Sequence, residues 1–165
     1  NYQEILEVFP VAQWFMNSLL SVVISIVGQV FLGSLAAYAF ARLKFPGKEA
    51  LFLLCLSIMM IPEQIFIIPR YNTLSAMGLT NTRTALWIVR LFSVFAVFLM
   101  RQFILSVPNE LDEAAMVDGA GHLRIYATII LPVLKAPVIS LAILSGLTTW
   151  KDMMWPLKPK LFGLN

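Results

Sequence analysis

Long apolar segments separated by short polar ones run along the chain. The first apolar segment extends from Val11 to Ala41 without a charged residue. Because about 20 apolar residues suffice for a helix to cross a bilayer, this segment is long enough to span one with a tilt. Within it, Gly33, Ala37 and Ala41 recur every four residues. This spacing predicts a small-residue face on which another helix can pack closely.

A turn and a second apolar segment come next. The turn, from Arg42 to Lys48, holds three cations and a Pro-Gly pair. The second span is predicted from Ala50 to Pro69, with Glu63 inside it. Deep in a span, Glu63 would be a functional candidate, whereas at the end of one it is an interfacial residue. We favour the interfacial interpretation because Pro62 and Pro69 indicate a helix that is nearing its end.

The third predicted span runs from Thr84 to Leu105. The polar stretch from Arg70 to Arg83 precedes it and predicts a loop with room for a short interfacial helix. Arg90 lies about two turns inside the span. Its long side chain either snorkels to the interface, which is the favoured interpretation, or faces a water-filled path.

The most polar internal stretch, Ser106 to Arg124, separates the third span from a fourth. The fourth span begins near Ile125 or after Pro132 and ends near Trp150, and the remaining residues predict irregular structure. Without that tail, six cations lie on the side of the first turn and two on the other side. The positive-inside rule then favours a cytoplasmic location for the first turn and for the 106–124 loop.

Composition agrees with a membrane protein and excludes several classes of function. Hydrophobic residues make up 59% of the chain and charged residues 13%, against about 25% charged in soluble domains. The net charge of +3 is scattered, without the basic tract that nucleic-acid binding requires. Cys55 is the only cysteine, so an internal disulfide is impossible, and its apolar surroundings predict a small buried residue.

No catalytic or metal site is predicted. The sequence has no Gly-Lys-Thr/Ser phosphate loop, no His/Cys/Asp cluster with metal-ligand spacing and no evident nucleophile–base pair. The single His122 is expected to be a solvated loop residue. The chain is therefore expected not to be an enzyme and to bind no cofactor itself.

The 106–124 loop predicts a short helix followed by a stop. Asn109 suits the N-cap, and acidic residues follow it in the first turn, where the helix dipole favours them. Gly119 can adopt the left-handed conformation that ends a helix, and a second helix would begin near Gly121. Leu111 and the Ala114–Ala115 pair lie on one side of the first helix. By these features alone the loop is either an ordinary interfacial segment, the favoured interpretation, or a helix that docks into a partner's groove.

A sequence signature reverses that preference. Glu113-Ala114-Ala115, then Gly119, then Ile129-x-Leu131-Pro132 fix seven identities over twenty positions. This pattern matches the EAA signature of ABC importer permeases at every fixed position. Other stretches resemble carbohydrate-importer permeases of the maltose-permease type: 17–19, 36–47, 61–62, 68–69, 101–103 and 150–157. The chain departs from that family at Lys151, where Asn is usual, which puts a substrate-facing role of this position in doubt.

The resemblance implies an all-α, polytopic transmembrane bundle like the type I ABC importer permeases, with about four spans in this fragment. Residues 1–165 would form one partial permease domain, lacking a span before Asn1 and another after Asn165, with its coupling loop at about 106–124. Such a subunit lies in the bacterial inner membrane. It pairs with a second permease and two ATPase subunits that bind ATP and Mg²⁺, and it receives a sugar or oligosaccharide from an extracytoplasmic binding protein.

Two sets of site residues follow. The resemblance implies that the ATPase contacts are Glu113, Ala114, Ala115, Asp118 and Gly119. The polar residues within the spans are candidates for a substrate path, although helix-to-helix hydrogen bonding is the favoured explanation for them: Asn17, Ser21, Ser25 and Ser145.

Three other classes of function are alternatives to a sugar permease. An ABC permease for a non-sugar solute would keep the coupling loop. A secondary transporter or a channel would need paired intramembrane ionisable residues in internal repeats, and the sequence shows no repeat. A membrane-embedded enzyme would need a reactive constellation within the spans, which Glu63 and Arg90 do not form by themselves.

Overall fold

The computed structural model describes residues 11–80 and 82–152, and the helices there account for all of the regular structure. In chain order the α-helices are α1 Val11–Arg42, α2 Lys48–Met59, α3 Ile67–Ala76, α4 Arg83–Ile88, α5 Val94–Ser106, α6 Glu110–Val117, α7 His122–Ile125, α8 Leu131–Val133 and α9 Lys135–Trp150. A 3₁₀ turn at Glu63–Phe66 precedes α3, and a π-helical turn at Tyr126–Ile130 joins α7 to α8. The expected all-α architecture is confirmed for this part of the chain.

Helix α1 is the central element of the bundle. Its 32 residues extend about 48 Å, which is longer than a hydrocarbon core of about 30 Å. It packs most extensively against α5 and α9, and α5 also contacts α2. Gly33 lies against Ala96 of α5, as the predicted small-residue face requires, since a Cβ at Gly33 would come within 2.8 Å of the Ala96 Cβ.

The directions of the helices follow from their contacts. Gly28 lies beside Leu91, and Arg42 donates to the carbonyl of Val107, so α1 and α5 run parallel. The hydroxyl of Ser145 bonds to Gln29, while the ring of Trp150 meets that of Phe15, so α9 runs antiparallel to α1. The end of α5 and the start of α6 therefore lie at the C-terminal end of α1.

Among the described helices, α1 alone is long and apolar enough to cross a membrane without a break. Three further pairs qualify by length and composition if each bent pair counts as one span, which would give up to four crossings. The bends are 93° between Lys48–Met59 and Glu63–Ala76, 78° between Val94–Ser106 and Glu110–Val117, and 77° between His122–Val133 and Lys135–Trp150. The described part of the chain therefore does not form four unbroken membrane-spanning helices.

The predicted second span was wrong as a single helix. Helix α2 has 12 residues, or about 18 Å of length, and ends at Met59 before the chain turns. Glu63 lies in the bend, where its side chain is 69% exposed and pairs with Arg70 at 2.8 Å. This position agrees with the interfacial interpretation of Glu63. The short helix expected within the following polar stretch exists as α3, but it begins at Ile67.

The predicted third span was also wrong as a continuous helix. It is divided into α4 and α5, and Arg90 lies in the break between them. The side chain of Arg90 forms an ion pair with Asp152, with 18% and 16% of the two side chains exposed. Whether this position lies at an interface or on a water-filled path stays a prediction. The fourth predicted span is also divided: α9 begins at Lys135, after Pro132, and it qualifies as a span only together with the preceding segment His122–Val133.

Candidate functional site

The polar 106–124 loop contains the predicted short helix, α6, and its glycine stop. Gly119 has φ +79°, in the left-handed region, and a Cβ there would meet no atom within 4 Å. The amide of Ala120 donates to the carbonyl of Ala115 at 2.9 Å, and the amide of Gly119 donates to that of Met116 at 3.0 Å. This pair of bonds is a Schellman motif, which closes the helix and turns the chain towards α7. Gly119 is thus required for its backbone conformation and not for lack of space.

The outer side of α6 is apolar and exposed. Leu111 and Met116 are each 45% exposed, and Val117 is 88% exposed. Glu113, Ala114, Asp118 and Gly119 are exposed as well. A cluster of exposed apolar side chains on a short helix fits the groove of a partner better than it fits water. We call this surface, formed by Leu111, Glu113, Ala114, Met116 and Val117, the docking surface.

The inner side of α6 is attached to the bundle. Ala115 is half-buried and packs against the core, so it differs from Ala114 although the two are neighbours. Asp112 is 4% exposed and forms an ion pair with Arg42, whose Nε lies 2.7 Å from Oδ2. The N–H is not aligned with the carboxylate as in a hydrogen bond, so the contact is mainly electrostatic.

The role predicted for Asn109 is only half right. Asn109 occupies the N-cap position, and its carbonyl accepts from the amides of Asp112 and Glu113 at 3.0 Å each. Its side chain, however, makes no capping bond. Its Oδ1 accepts from Arg42 instead. Arg42 competes with the backbone amides for this oxygen, and its charge-assisted hydrogen bond is stronger than a bond from a backbone amide.

A second set of polar residues lies inside the bundle on one face of α1. Asn17, Ser21, Ser25 and Gln29 are spaced by four residues, which places them in one stripe along the helix. The indole of Trp87 donates to the hydroxyl of Ser21 at 3.2 Å. Ser25 is fully buried, and its hydroxyl has no hydrogen-bond partner among the described residues.

Gln29 joins three helical segments. Its amide donates to the carbonyl of Arg90 at 3.0 Å, and its Oε1 accepts from the hydroxyl of Ser145 at 2.6 Å. The break between α4 and α5 leaves carbonyls without helical partners, and such groups are costly where water is excluded. The side chain of Gln29 therefore supplies a hydrogen-bond donor to a carbonyl in the helix break. This arrangement agrees with helix-to-helix hydrogen bonding as the role of Ser145.

A cavity of about 280 Å³ opens at the N-terminal end of the stripe. Its walls combine two indole rings, an ion pair and several small polar side chains: Trp14, Asn17, Ser18, Ser21, Leu86, Arg90, Thr149, Trp150 and Asp152. Of the four residues predicted for a substrate path, Asn17 and Ser21 line this cavity. Ser25 and Ser145 are not among its lining residues and are buried in the helix packing.

Several residues of both sites were not singled out from the sequence. Gln29 and Trp87 carried no more signal than any polar or aromatic residue in an apolar run. The Arg42–Asp112 and Arg90–Asp152 pairs join residues far apart in the chain, which no spacing rule connects. His122 begins a helix instead of lying in a loop, but its exposure agrees with a solvated residue. Within residues 11–80 and 82–152, no group of three His, Cys, Asp or Glu residues could hold a metal ion.

Comparison with known proteins finds one family. Residues 29–158 match the family described as "Binding-protein-dependent transport system inner membrane component". The arabinooligosaccharides transport system permease protein AraQ of Halalkalibacterium halodurans is 36% identical over 144 residues, which are 87% of this chain and 52% of that protein. The osmoprotective compounds uptake permease protein GgtD of Synechocystis is 33% identical over 156 residues, or 93% of this chain and 52% of that protein.

A solved structure shows the same fold. A chain in the crystal structure of a bacterial ABC transporter involved in the import of the acidic polysaccharide alginate matches with a TM-score of 0.77. The match covers 91% of this chain and 58% of the other at 21% identity, so it concerns the fold alone. The chain spans about half the length of the curated relatives that it matches.

Proposed function

Since the chain belongs to the family of binding-protein-dependent transport system inner membrane components, we propose that it is part of the permease subunit of an ATP-driven importer. In this proposal the subunit crosses the bacterial inner membrane several times and pairs with a second permease. Two ATPase subunits bind its cytoplasmic face and carry ATP and Mg²⁺, and a binding protein delivers the solute from outside. This chain contributes the solute path and the coupling element, and its own residues perform no ATP hydrolysis.

The observation that carries the proposal is the docking surface on α6. This helix exposes apolar side chains, with Val117 88% exposed, and its first turn lies at the end of the bundle where α1 ends. The end where it lies also holds Arg42, Lys48 and Arg101, and Arg101 contacts the carbonyl of Phe40 at 3.3 Å. Cations at this end favour a cytoplasmic location. A helix exposed there is suited to an ATPase cleft, as the EAA signature implies.

The solute is proposed to be a sugar or oligosaccharide. The name of AraQ connects that relative with arabinooligosaccharides, and the cavity of this chain is lined by indoles and small polar groups. Indole faces suit the C–H faces of a sugar ring, and hydroxyl and amide groups suit its hydroxyls. In this proposal Asn17 and Ser21 contact the solute, while Ser25 and Ser145 act through the packing of helices beneath it. The name of GgtD refers to osmoprotective compounds without naming a sugar, so a non-sugar solute is the alternative.

The proposal is tested by reconstituting the full-length subunit with its genomic partner permease, ATPase and binding protein in proteoliposomes. Uptake of radiolabelled neutral oligosaccharides and of small osmolytes is compared with ATP inside and without it. ATP-dependent uptake of an oligosaccharide supports the proposal, and ATP-dependent uptake of osmolytes alone selects the alternative. Uptake that follows an ion gradient and ignores ATP would contradict both, since it indicates a secondary transporter.

A further inference from the structure

The side chain of Arg42 holds together three points of the segment that leads into the coupling helix. Its Nη2 donates to the carbonyl of Val107 at 2.6 Å, its Nη1 donates to Oδ1 of Asn109, and its Nε faces Asp112 at 2.7 Å. These acceptors cover the end of α5, the linker and the first turn of α6. The planar, forked guanidinium can serve several acceptors at once in fixed directions, which an ammonium group cannot do.

The charges of Arg42 and Asp112 each lie at the helix end where the helix dipole stabilises them. Arg42 is the last residue of α1, at the negative end of the helix dipole, and Asp112 is in the first turn of α6, at the positive end. Their side chains are only 6% and 5% exposed. Because a buried ion pair adds little net stability over well-packed apolar residues, a geometric role explains this one better than a role in stability.

The geometry shows what Arg42 prevents. Helices α5 and α6 meet at 78° and are joined by the three residues Val107, Pro108 and Asn109. A linker of this kind is a natural hinge, at which α6 could swing without moving α5. Arg42 belongs to a third helix, α1, and its contacts restrain the hinge between α5 and α6. A displacement of α6 must therefore move the end of α1.

We propose that Arg42 is the positioning residue that transmits movement of the coupling helix to α1, with Asp112 as its partner on α6. The inference rests on the proposed function, because it concerns coupling to an ATPase. Helix α1 carries Asn17 and Ser21, which line the cavity about 20 or more residues from Arg42 along one uninterrupted helix. Arg42 thus connects the docking surface to the cavity through a single uninterrupted helix.

The test compares variants in the reconstituted full transporter. Arg42→Ala, Asp112→Asn and the double variant are measured for solute transported per ATP hydrolysed. We expect a fall of about tenfold in this ratio, within the 5–150-fold range usual for coupling between sites. The double variant should be no worse than either single variant, since both remove the same contact. Arg42→Lys, which keeps the charge but loses the fork, should recover part of the ratio.

Lys44→Ala is the matched control, because it removes an exposed cation two positions from Arg42. It should leave the ratio unchanged. If transport and ATP hydrolysis fall in proportion in Arg42→Ala, so that the ratio is unaltered, the pair acts only in folding and the inference is overturned. Failure of all the Arg42 and Asp112 variants to assemble with the ATPase has the same meaning. If the unaltered complex itself shows no ATP-driven uptake, it is the proposed function that fails.

Discussion

Replacing Gly28 by alanine should destabilise the bundle at the broken helix. A Cβ at position 28 would lie 2.9 Å from the carbonyl oxygen and 3.0 Å from the Cα of Leu91. These are backbone atoms in the segment between α4 and α5, so a side-chain rotation cannot relieve the clash. Overpacking of this kind costs about 1–3 kcal/mol. Alanine favours a helix over glycine by about 1 kcal/mol, which leaves a net loss of about 0–2 kcal/mol.

Gly146→Ala is the control for this prediction. Its Cβ would lie 3.5 Å from Ile26 and 3.7 Å from Val22, which is ordinary contact, so only the helix gain of about 1 kcal/mol should remain. The two variants should therefore differ by about 1–3 kcal/mol. For a chain of this size, this difference corresponds to apparent midpoints about 2–12 °C apart. Tryptophan fluorescence of the detergent-purified protein measures the midpoints. A Gly28→Ala midpoint equal to or above that of Gly146→Ala would refute the close approach of α1 to Leu91.

Three further predictions concern single residues. Gly119→Val should abolish substrate-stimulated ATPase activity while membrane insertion persists. Gly119→Asn should retain much of that ATPase activity, because asparagine tolerates the left-handed conformation. Equal ATPase activities of the two variants would contradict the conformational argument. Gln29→Leu leaves the Arg90 carbonyl and the Ser145 hydroxyl without their partner and should lower the free energy of unfolding by about 1–3 kcal/mol. Its thermal midpoint should therefore lie below that of the control Gln13→Leu, which changes an exposed residue. Val117→Glu should leave that midpoint unchanged and lower the ATPase recovered with the purified permease by about tenfold, as expected for loss of an apolar anchor; full recovery would exclude Val117 from the docking surface.

The helices could be predicted from the sequence because lipid-compatible segments need long apolar runs, and their lengths are visible directly. The breaks could not be predicted in the same way. Val89 to Ser93 looks as apolar as its surroundings, apart from Arg90. What stabilises the break is the side chain of Gln29 from another helix. A tertiary hydrogen bond of this kind leaves no local pattern.

The short helix and turn of the 106–124 loop were predictable for a different reason. Its glycine stop is a local backbone requirement, and the positive φ of Gly119 agrees with it. Asn109 does occupy the N-cap position, but its side chain makes no capping bond because a distant arginine competes for it. In the sequence, Arg42 is one of several cations in a turn, and Asp112 is one of several acidic residues in a first helical turn, so neither stands out. Their burial against each other could be found only in the folded structure.

The most direct test of the proposed coupling to an ATPase is to determine on which side of the membrane the docking surface lies. A single cysteine placed at Val117, in a full-length subunit whose native cysteines, Cys55 among them, are changed to alanine, can be labelled with a membrane-impermeant maleimide in vesicles of either orientation. We expect labelling in inverted vesicles stripped of the ATPase, protection when the ATPase is bound, and no labelling in right-side-out vesicles. Labelling in right-side-out vesicles, or the same labelling with and without the ATPase, would contradict it.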